Sequence, residues 1–457
     1  MMAKSLTLLL PVALLGACAQ FSVDGGMAPV SSNVSLALGK DTVKISSAAD
    51  ESRVAAQVSA LLAKTLTPDS AVQIALLNNR GLQAEYNSLG VSEADFVEAT
   101  LPPIAPSIIL ERALSNWEFS IERRLAVGLI QLATWPTNKK IAKTEFRAAQ
   151  YRATEATFRT AAATRRAFFV ALAAKQRVAF LERARATASI AAKLTVKQGE
   201  TGAASRISQA RAVSFYAEVA ADLAQARLDL DRAREALTRE LGLWKANTSF
   251  RLPDALPKLP KIRTVNEVEQ EAVSKRVDLI AARLDLDATA RRLGLTNATR
   301  YVSLLELTGI SRTTWTREGG STSKSSARSL ELVVEIPIFD FGETRKRRAA
   351  ETYMQSVNLL VELAVNVRSQ AREAYTAYRA TYDIARQYQD NVIPLRNIID
   401  EQTLLEYNGM LVDVYELLNS ARESLEGNIA AIEAARDFFI AQVDFQAALI
   451  GGAQKQE

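Results

Sequence analysis

The chain has 457 residues, 48% apolar and 23% charged, with only 19 Gly and 12 Pro, a composition that favours a few long elements over many short ones. It has no histidine and a single cysteine, so the commonest general base, the commonest metal ligand and any intramolecular disulfide are missing, and no phosphate-cradling glycine loop replaces them. Lys plus Arg outnumber Asp plus Glu by 56 to 51, but the signs interleave without a basic, aromatic-spaced block, so nucleic acid is not an expected partner. The chain is read as not an enzyme, with no catalytic residues, no cofactor and no metal.

Residues 1–17 read as a lipoprotein signal peptide: Lys4, an apolar run from Leu6 to Leu15, then Leu15-Gly16-Ala17-Cys18. The run is far shorter than the ~20 residues a membrane-spanning helix needs. An ordinary secretory signal with a chance cysteine is the alternative. Bacterial lipoprotein signals, which this segment resembles, are cut before the cysteine; the resemblance implies lipidation (palmitate) of Cys18, and Ala19 in place of Asp resembles outer-membrane sorting. Residues 18–65 are expected to form an anchor and extended segment.

The rest reads as one module written twice, helix, two strands and long helix pair, over residues 66–243 and 265–450, with a connector at 244–264 carrying Pro253, Pro257 and Pro260 and a tail at 451–457. The first copy opens at Leu66-Thr67-Pro68-Asp69, where an N-cap, a proline at the first helical position and a first-turn acid make a clear helix start. The second opens through Ala272 to Leu279, with Asp278-Leu279 opposite Gly81-Leu82. Further on, Trp135 falls opposite Phe341 and Gly199 opposite Gly409.

Each copy then shifts to period two. In the first, strands are expected within 104–132: Trp117, Phe119, Ile121, Leu125, Val127 and Leu129 alternate with polar or small residues, with Arg123 the single charge on the apolar face. In the second, within 299–338, Leu330, Leu332, Val334, Ile336 and Ile338 alternate the same way. Hairpin tips are placed at Ser115-Asn116 and across the polar segment Thr316 to Arg328. An apolar face with tryptophans toward its ends is the pattern of a lipid-facing barrel strand, although half-buried strands of a soluble sheet share it. Long helices follow, at about 136–197 and 343–407, each roughly 90 Å at 1.5 Å per residue, with Pro394 the only break; return helices are expected at about 203–243 and 412–450. Predicted seams run through Ile207, Ala210, Ser214, Ala217, Ala221, Ala224 and Leu228, and through Leu360, Ala364, Val367, Ala371, Ala374 and Tyr378.

Four strands cannot close a barrel, and open edges in lipid leave backbone groups unpaired, so other copies must supply strands; two copies would fill the lumen with side chains, whereas three give about twelve strands around a conduit. The fold class is therefore mainly α with a small β part, a duplicated helix–strand–strand–long-helix repeat assembling as a homotrimer.

The order of the Leu66 to Asn79 opening, Arg276 with Asp278-Leu279, Ile336-Pro337-Ile338-Phe339-Asp340-Phe341-Gly342, and Gly409 followed by Leu417-Leu418-Asn419-Ser420-Ala421-Arg422 resembles the TolC-like outer-membrane efflux proteins, particularly their lipoprotein members. The resemblance implies a trimeric 12-stranded outer-membrane β-barrel continuous with a periplasmic α-helical coiled-coil barrel. It implies a passive duct serving a periplasmic adaptor (membrane fusion) protein and an inner-membrane RND or ABC-type pump. Such proteins often carry two acids one helical turn apart at a periplasmic gate; the matching positions here are Glu416 and Asn419, with Asp413 able to take the second role and Arg206 of the first copy able to pair with either acid. Gly199 and Gly409 are expected to adopt the positive φ that ends a helix. A lipid-anchored periplasmic coiled-coil adaptor or scaffold is the rival reading, and it gives the apolar strand faces no purpose.

Overall fold

The computed structural model describes residues 20–113, 117–244, 249–264, 267–318 and 320–453. Cys18 and the Ser115-Asn116 tip lie outside the described residues. The chain divides into two compact units, one built on Asn87–Arg152 and Asp278–Ala364 with the start of the chain, the other on Pro29–Tyr86, Ala153–Val277 and Val365–Glu457.

The region expected to be extended contains two helices, α1 (Ala28–Leu38) and α2 (Ala48–Leu62). A capping box at Ser47 and Asp50 starts α2, a local signal overlooked in a stretch assigned to an anchor. Between them the chain is extended, held by two glutamines. Gln73 and Gln83 each donate to a backbone carbonyl, at Asp41 and Val43, and each accepts from a backbone N–H, at Asp41 and Ile45.

The duplication is visible in backbone angles. Helices α3 (Pro68–Asn78) and α4 (Arg80–Thr100) are separated by Asn79, while α7 (Val268–Lys275) and α8 (Val277–Thr299) are separated by Arg276. Both hinge residues are extended, Asn79 at φ −66°, ψ 115° and Arg276 at φ −66°, ψ 121°. Thr67 caps α3 as expected, accepting from the Ser70 N–H. The Asn78 and Asn79 carboxamides donate to the carbonyls of Leu241, Gly242 and Glu240, so they satisfy the end of α6 (Arg206–Glu240).

Helix α5 runs unbroken from Leu129 to Glu200, 72 residues or about 108 Å. It starts seven residues before Pro136, because one proline in an early turn removes a single ladder bond. In the second copy the break at Pro394 is larger than expected. Helix α9 (Glu343–Gln387) passes into a π-turn at Tyr388–Val392 before α10 (Ile393–Asn408), and the Ile393 N–H reaches back to the Tyr388 carbonyl. Pro394 has no N–H to continue the i→i−4 ladder, and the wider turn absorbs the mismatch. The last helix, α11, spans Val414–Ile450.

In the helical unit the core is aromatic. Phe169 stacks on Phe439 at 4.8 Å, and Tyr378 stacks on Phe438 at 5.7 Å and Phe445 at 5.3 Å. The α9 seam is confirmed at Val367, Ala371 and Tyr378. The α6 seam is not: α6 buries Ala212, Phe215, Val219, Leu223 and Ala226, against Leu181, Ala188 and Ala192 of α5 and Leu418 and Leu425 of α11. The stripe drawn through Ile207, Ala210, Ser214, Ala217, Ala221, Ala224 and Leu228 is exposed, Ile207 by 65%. Both stripes have helical spacing, and the larger side chains of the buried one decide which is covered.

The other unit carries β1 (Ile104–Ala113), β2 (Glu118–Gly128), β3 (Leu304–Glu318) and β4 (Ser321–Glu335) as an antiparallel meander in that order. The polar segment Thr316–Arg328 is mostly strand, not a loop: the ladder pairs residues out to Glu318 and Ser321. Runs of Thr and Ser suit a pleated strand without supplying the apolar alternation that sequence reading depends on.

Candidate functional site

Register divides the sheet into two faces. Phe119, Ile121, Leu125 and Val127 share one face with Leu110 and Ile108 of β1 and, through β3, with Leu330 and Leu332 of β4. Leu330 is 80% exposed, and Phe119, Leu125 and Leu332 are also exposed. Phe119 stacks on its cross-strand partner Trp315 at 5.5 Å. Two residues expected on this strand are not in it: Trp117 lies just before β2 with φ 47°, and Leu129 is the first residue of α5.

The opposite face is polar. Glu122, directly across from Arg312, accepts from Arg312 Nε at 2.6 Å and is also paired with Arg124, two residues along the same strand. The Glu122 side chain is only 4% exposed. Ser120 beside it is buried, and Glu111, Glu306 and Glu331 fall on the same face by register. The sheet therefore covers the Glu122 carboxylate and leaves leucines uncovered, the reverse of a strand packed on a soluble core.

Where the second copy turns from strand to helix, the Phe341 N–H donates to the Pro337 carbonyl and Asp340 accepts from the Gly342 N–H, with Phe341 at φ 47° and Gly342 at φ 74°. A Cβ on Gly342 would collide with the Arg300 carbonyl, which fixes glycine there.

In the helical unit, the α5–α6 and α10–α11 turns hold the predicted gate residues. Gly199 and Gly409 are near these turns but neither has positive φ. Gly202 takes the left-handed conformation in the first turn, at φ 80°, and Met410 takes it in the second, at φ 59°. Gly199 remains helical, and a Cβ there would meet only the flexible Gln209 carboxamide. Gly409 is the C-cap at φ −80°, and Met410, 93% exposed, follows it.

Asp413 is the N-cap of α11, its Oδ1 accepting from the Glu416 N–H at 3.0 Å, while Glu416 is exposed in the first turn. Asn419 points along the helix, donating to Glu423 at 3.2 Å. Arg206 is exposed at the start of α6, and among the described residues no ion pair joins it to Asp413 or Glu416. The two turns are linked by other residues. The Arg211 guanidinium lies 4.5 Å from the Tyr415 ring centroid, and Arg422 Nη2 donates to Glu218 Oε2 at 2.6 Å. Arg422 beside Glu218 holds that carboxyl below its ordinary range. Arg422 ends the Leu417 to Arg422 motif; its partner was missed because Glu218 reads as one more solvated charge on α6.

No family model matches this sequence, and no curated protein sequence matches it. Solved structures do match in fold. The outer-membrane channel OprN aligns with TM-score 0.71 at 17% identity over 95% of this chain and 97% of its own. The outer-membrane channel CmeC of Campylobacter jejuni aligns with TM-score 0.73 at 16% identity over 85% of this chain and 87% of its own. The open state of the outer-membrane channel MtrE of Neisseria gonorrhoeae aligns with TM-score 0.68 at 18% identity over 84% of this chain and 88% of its own. The chain has the TolC-like fold of outer-membrane efflux channels, long helices joined to a four-stranded antiparallel sheet. Among the described residues no helix is long and apolar enough to cross a membrane.

Proposed function

We propose that the protein is the outer-membrane channel of a tripartite efflux or export system, a passive trimeric duct. The observation that carries this reading is the inverted sheet: an exposed apolar face, a polar face with buried Glu122, and two edges, β1 and β4, with no partner strand among the described residues. Three copies joined edge to edge give about twelve strands, with apolar side chains toward lipid and the Glu122–Arg312 row toward a water-filled lumen.

Cys18 carries the lipid anchor in this reading. The α5–α6 and α10–α11 turns lie at the periplasmic entrance, where Asp413 and Glu416 of three copies form an acidic ring, Asn419 lies one turn further along, and Arg206 is the cation that the repeat alignment sets opposite them. A periplasmic adaptor and an inner-membrane pump of RND or ABC type supply coupling and energy. The likeness to the channels CmeC, OprN and MtrE supports this assignment over a coiled-coil adaptor, which has no use for an apolar sheet face.

The test is mass and conductance together. Detergent-extracted protein should have the mass of three protomers and form pores in planar bilayers. A stable folded monomer that forms none overturns the reading.

A further inference from the structure

The carboxylates of the sheet are confined to one face, where Arg124 and Arg312 pair with Glu122. The apolar face carries Arg112, Arg123, Arg317, Lys324 and Arg328 by register, and among the described residues no carboxylate shares it. The acids are all on the opposite face. These cations are ordered: Arg112, Phe119, Trp315 and Lys324 form one row straight across the four strands, with Arg112 5.6 Å from the Trp117 centroid and Lys324 5.7 Å from that of Trp315. Further along each strand, toward the helices, Arg123 and Arg328 lie on either side of Ser311 in a single row.

Beside that row the surface is hollow. Gly309 offers no side chain between Leu125 and Leu330, and a shallow depression of about 760 Å³ is lined there by Ile108, Arg123, Leu125, Gly309, Arg328 and Leu330. Two guanidiniums thus flank an apolar trough, two strand spacings or roughly 10 Å apart.

We infer that this trough is a binding site for a phosphorylated lipid of the surrounding membrane, specifically a glycolipid carrying two phosphates. The inference rests on the lipid-facing orientation given under the proposed function. A guanidinium facing hydrocarbon without a counter-ion is costly, and this face supplies none. A neighbouring copy would add β1 beside β4, and the matching face of β1 contributes Arg112 but no acid. The anion must come from the lipid. Phosphate suits a planar, fork-shaped donor, two phosphates suit two arginines at this separation, and acyl chains cover Leu125 and Leu330. The aromatic–cation row lies about 13 Å along β2 from Arg123, toward the β1–β2 hairpin, so both tiers face the leaflet on that side.

Wild type and the Arg123→Gln/Arg328→Gln double variant are reconstituted in phosphatidylcholine nanodiscs doped with bisphosphorylated lipid A, monophosphorylated lipid A or phosphatidylglycerol, and retained lipid is counted by native mass spectrometry. The wild type should retain the bisphosphorylated glycolipid in preference to the other two, and the double variant about tenfold less, the loss of roughly one charge-assisted contact. Arg123→Lys/Arg328→Lys should recover part of the retention, which separates charge from folding. Equal retention by the double variant, or preference for phosphatidylglycerol, overturns the glycolipid site and leaves the channel standing. Failure of the wild type to insert at all overturns both.

Discussion

The sheet and the helical unit distribute polarity in opposite senses. In the helical unit Phe438 is 0% exposed inside an aromatic cluster, and the charged residues of α6, such as Arg206 and Glu218, lie outside. In the sheet the leucines are outside and Glu122 is buried beneath its partners Arg124 and Arg312. One chain thus follows two burial rules, and the boundary falls at Gly128 and Leu129, where period two gives way to the long helix. In the proposed channel two solvents explain the two rules: water around the helices, lipid around the sheet.

The comparison breaks most readily at its interior residues. Phe438→Ala should cost about 3–5 kcal/mol, lowering the thermal midpoint in detergent, whereas Leu330→Ala on the exposed strand face should change it by less than about 0.5 kcal/mol. If both substitutions destabilise equally, Leu330 is covered by protein and the inverted-sheet account fails.

Adjacent positions on β2 sharpen it further. Leu125→Arg should impair assembly by about 2–4 kcal/mol if it lies near mid-membrane, while Ala126→Arg points to the polar face and should change conductance with little effect on trimer yield. Equal tolerance of both would mean that the faces are misassigned.

Smaller effects belong to the turns. Gly202→Ala forces a side chain into the left-handed region and should cost about 1–2 kcal/mol; Gly199→Ala requires only a shift of Gln209 and should be near neutral. Thermal melts of the two variants compare them directly. A larger loss at Gly199 would restore the expectation drawn from the repeat alignment.

The smallest effect is the Glu218–Arg422 link, an exposed pair worth about 0–1 kcal/mol. The Glu218 carboxyl is held below its ordinary value in the folded protein, so its contribution is present above about pH 4.3 and disappears as pH falls through the lowered value. Divided by its intrinsic pH-dependent rate, amide exchange at the two helix turns should therefore rise on acidification in the wild type. In Glu218→Gln it should already be raised at neutral pH and respond less to acid.

Much of the architecture was legible because it is written in local chemistry. Thr67-Pro68-Asp69 marks a helix start from three residues alone, and β2 announces itself by alternation from Phe119 to Val127 that only Arg123 interrupts. The α9 seam was read correctly because its large residues, Val367 and Tyr378, lie on the covered side. On α6 two stripes of equal period compete, and the larger side chains Phe215, Val219 and Leu223, rather than spacing alone, decide which one is covered. The outer part of β3 and β4 is not legible as strand because Thr and Ser there carry no hydrophobic alternation. Gly199 and Gly409 drew attention as glycines, while the left-handed residue of the second turn is Met410, which no composition rule flags. At the turns, Asp413 was legible as an acid but not as a cap, and the Arg211–Tyr415 and Arg422–Glu218 contacts join residues some two hundred positions apart.

The central claim is that β2 has one face in lipid and the other in water. Single spin labels at positions 119 to 126 of the reconstituted trimer, probed with membrane-soluble oxygen and with a water-soluble nickel chelate, measure this residue by residue. The account requires accessibility of period two, with oxygen favoured at Phe119, Ile121 and Leu125 and the chelate favoured at Ser120, Glu122, Arg124 and Ala126. Uniform accessibility along the strand, or the opposite phase, would contradict it.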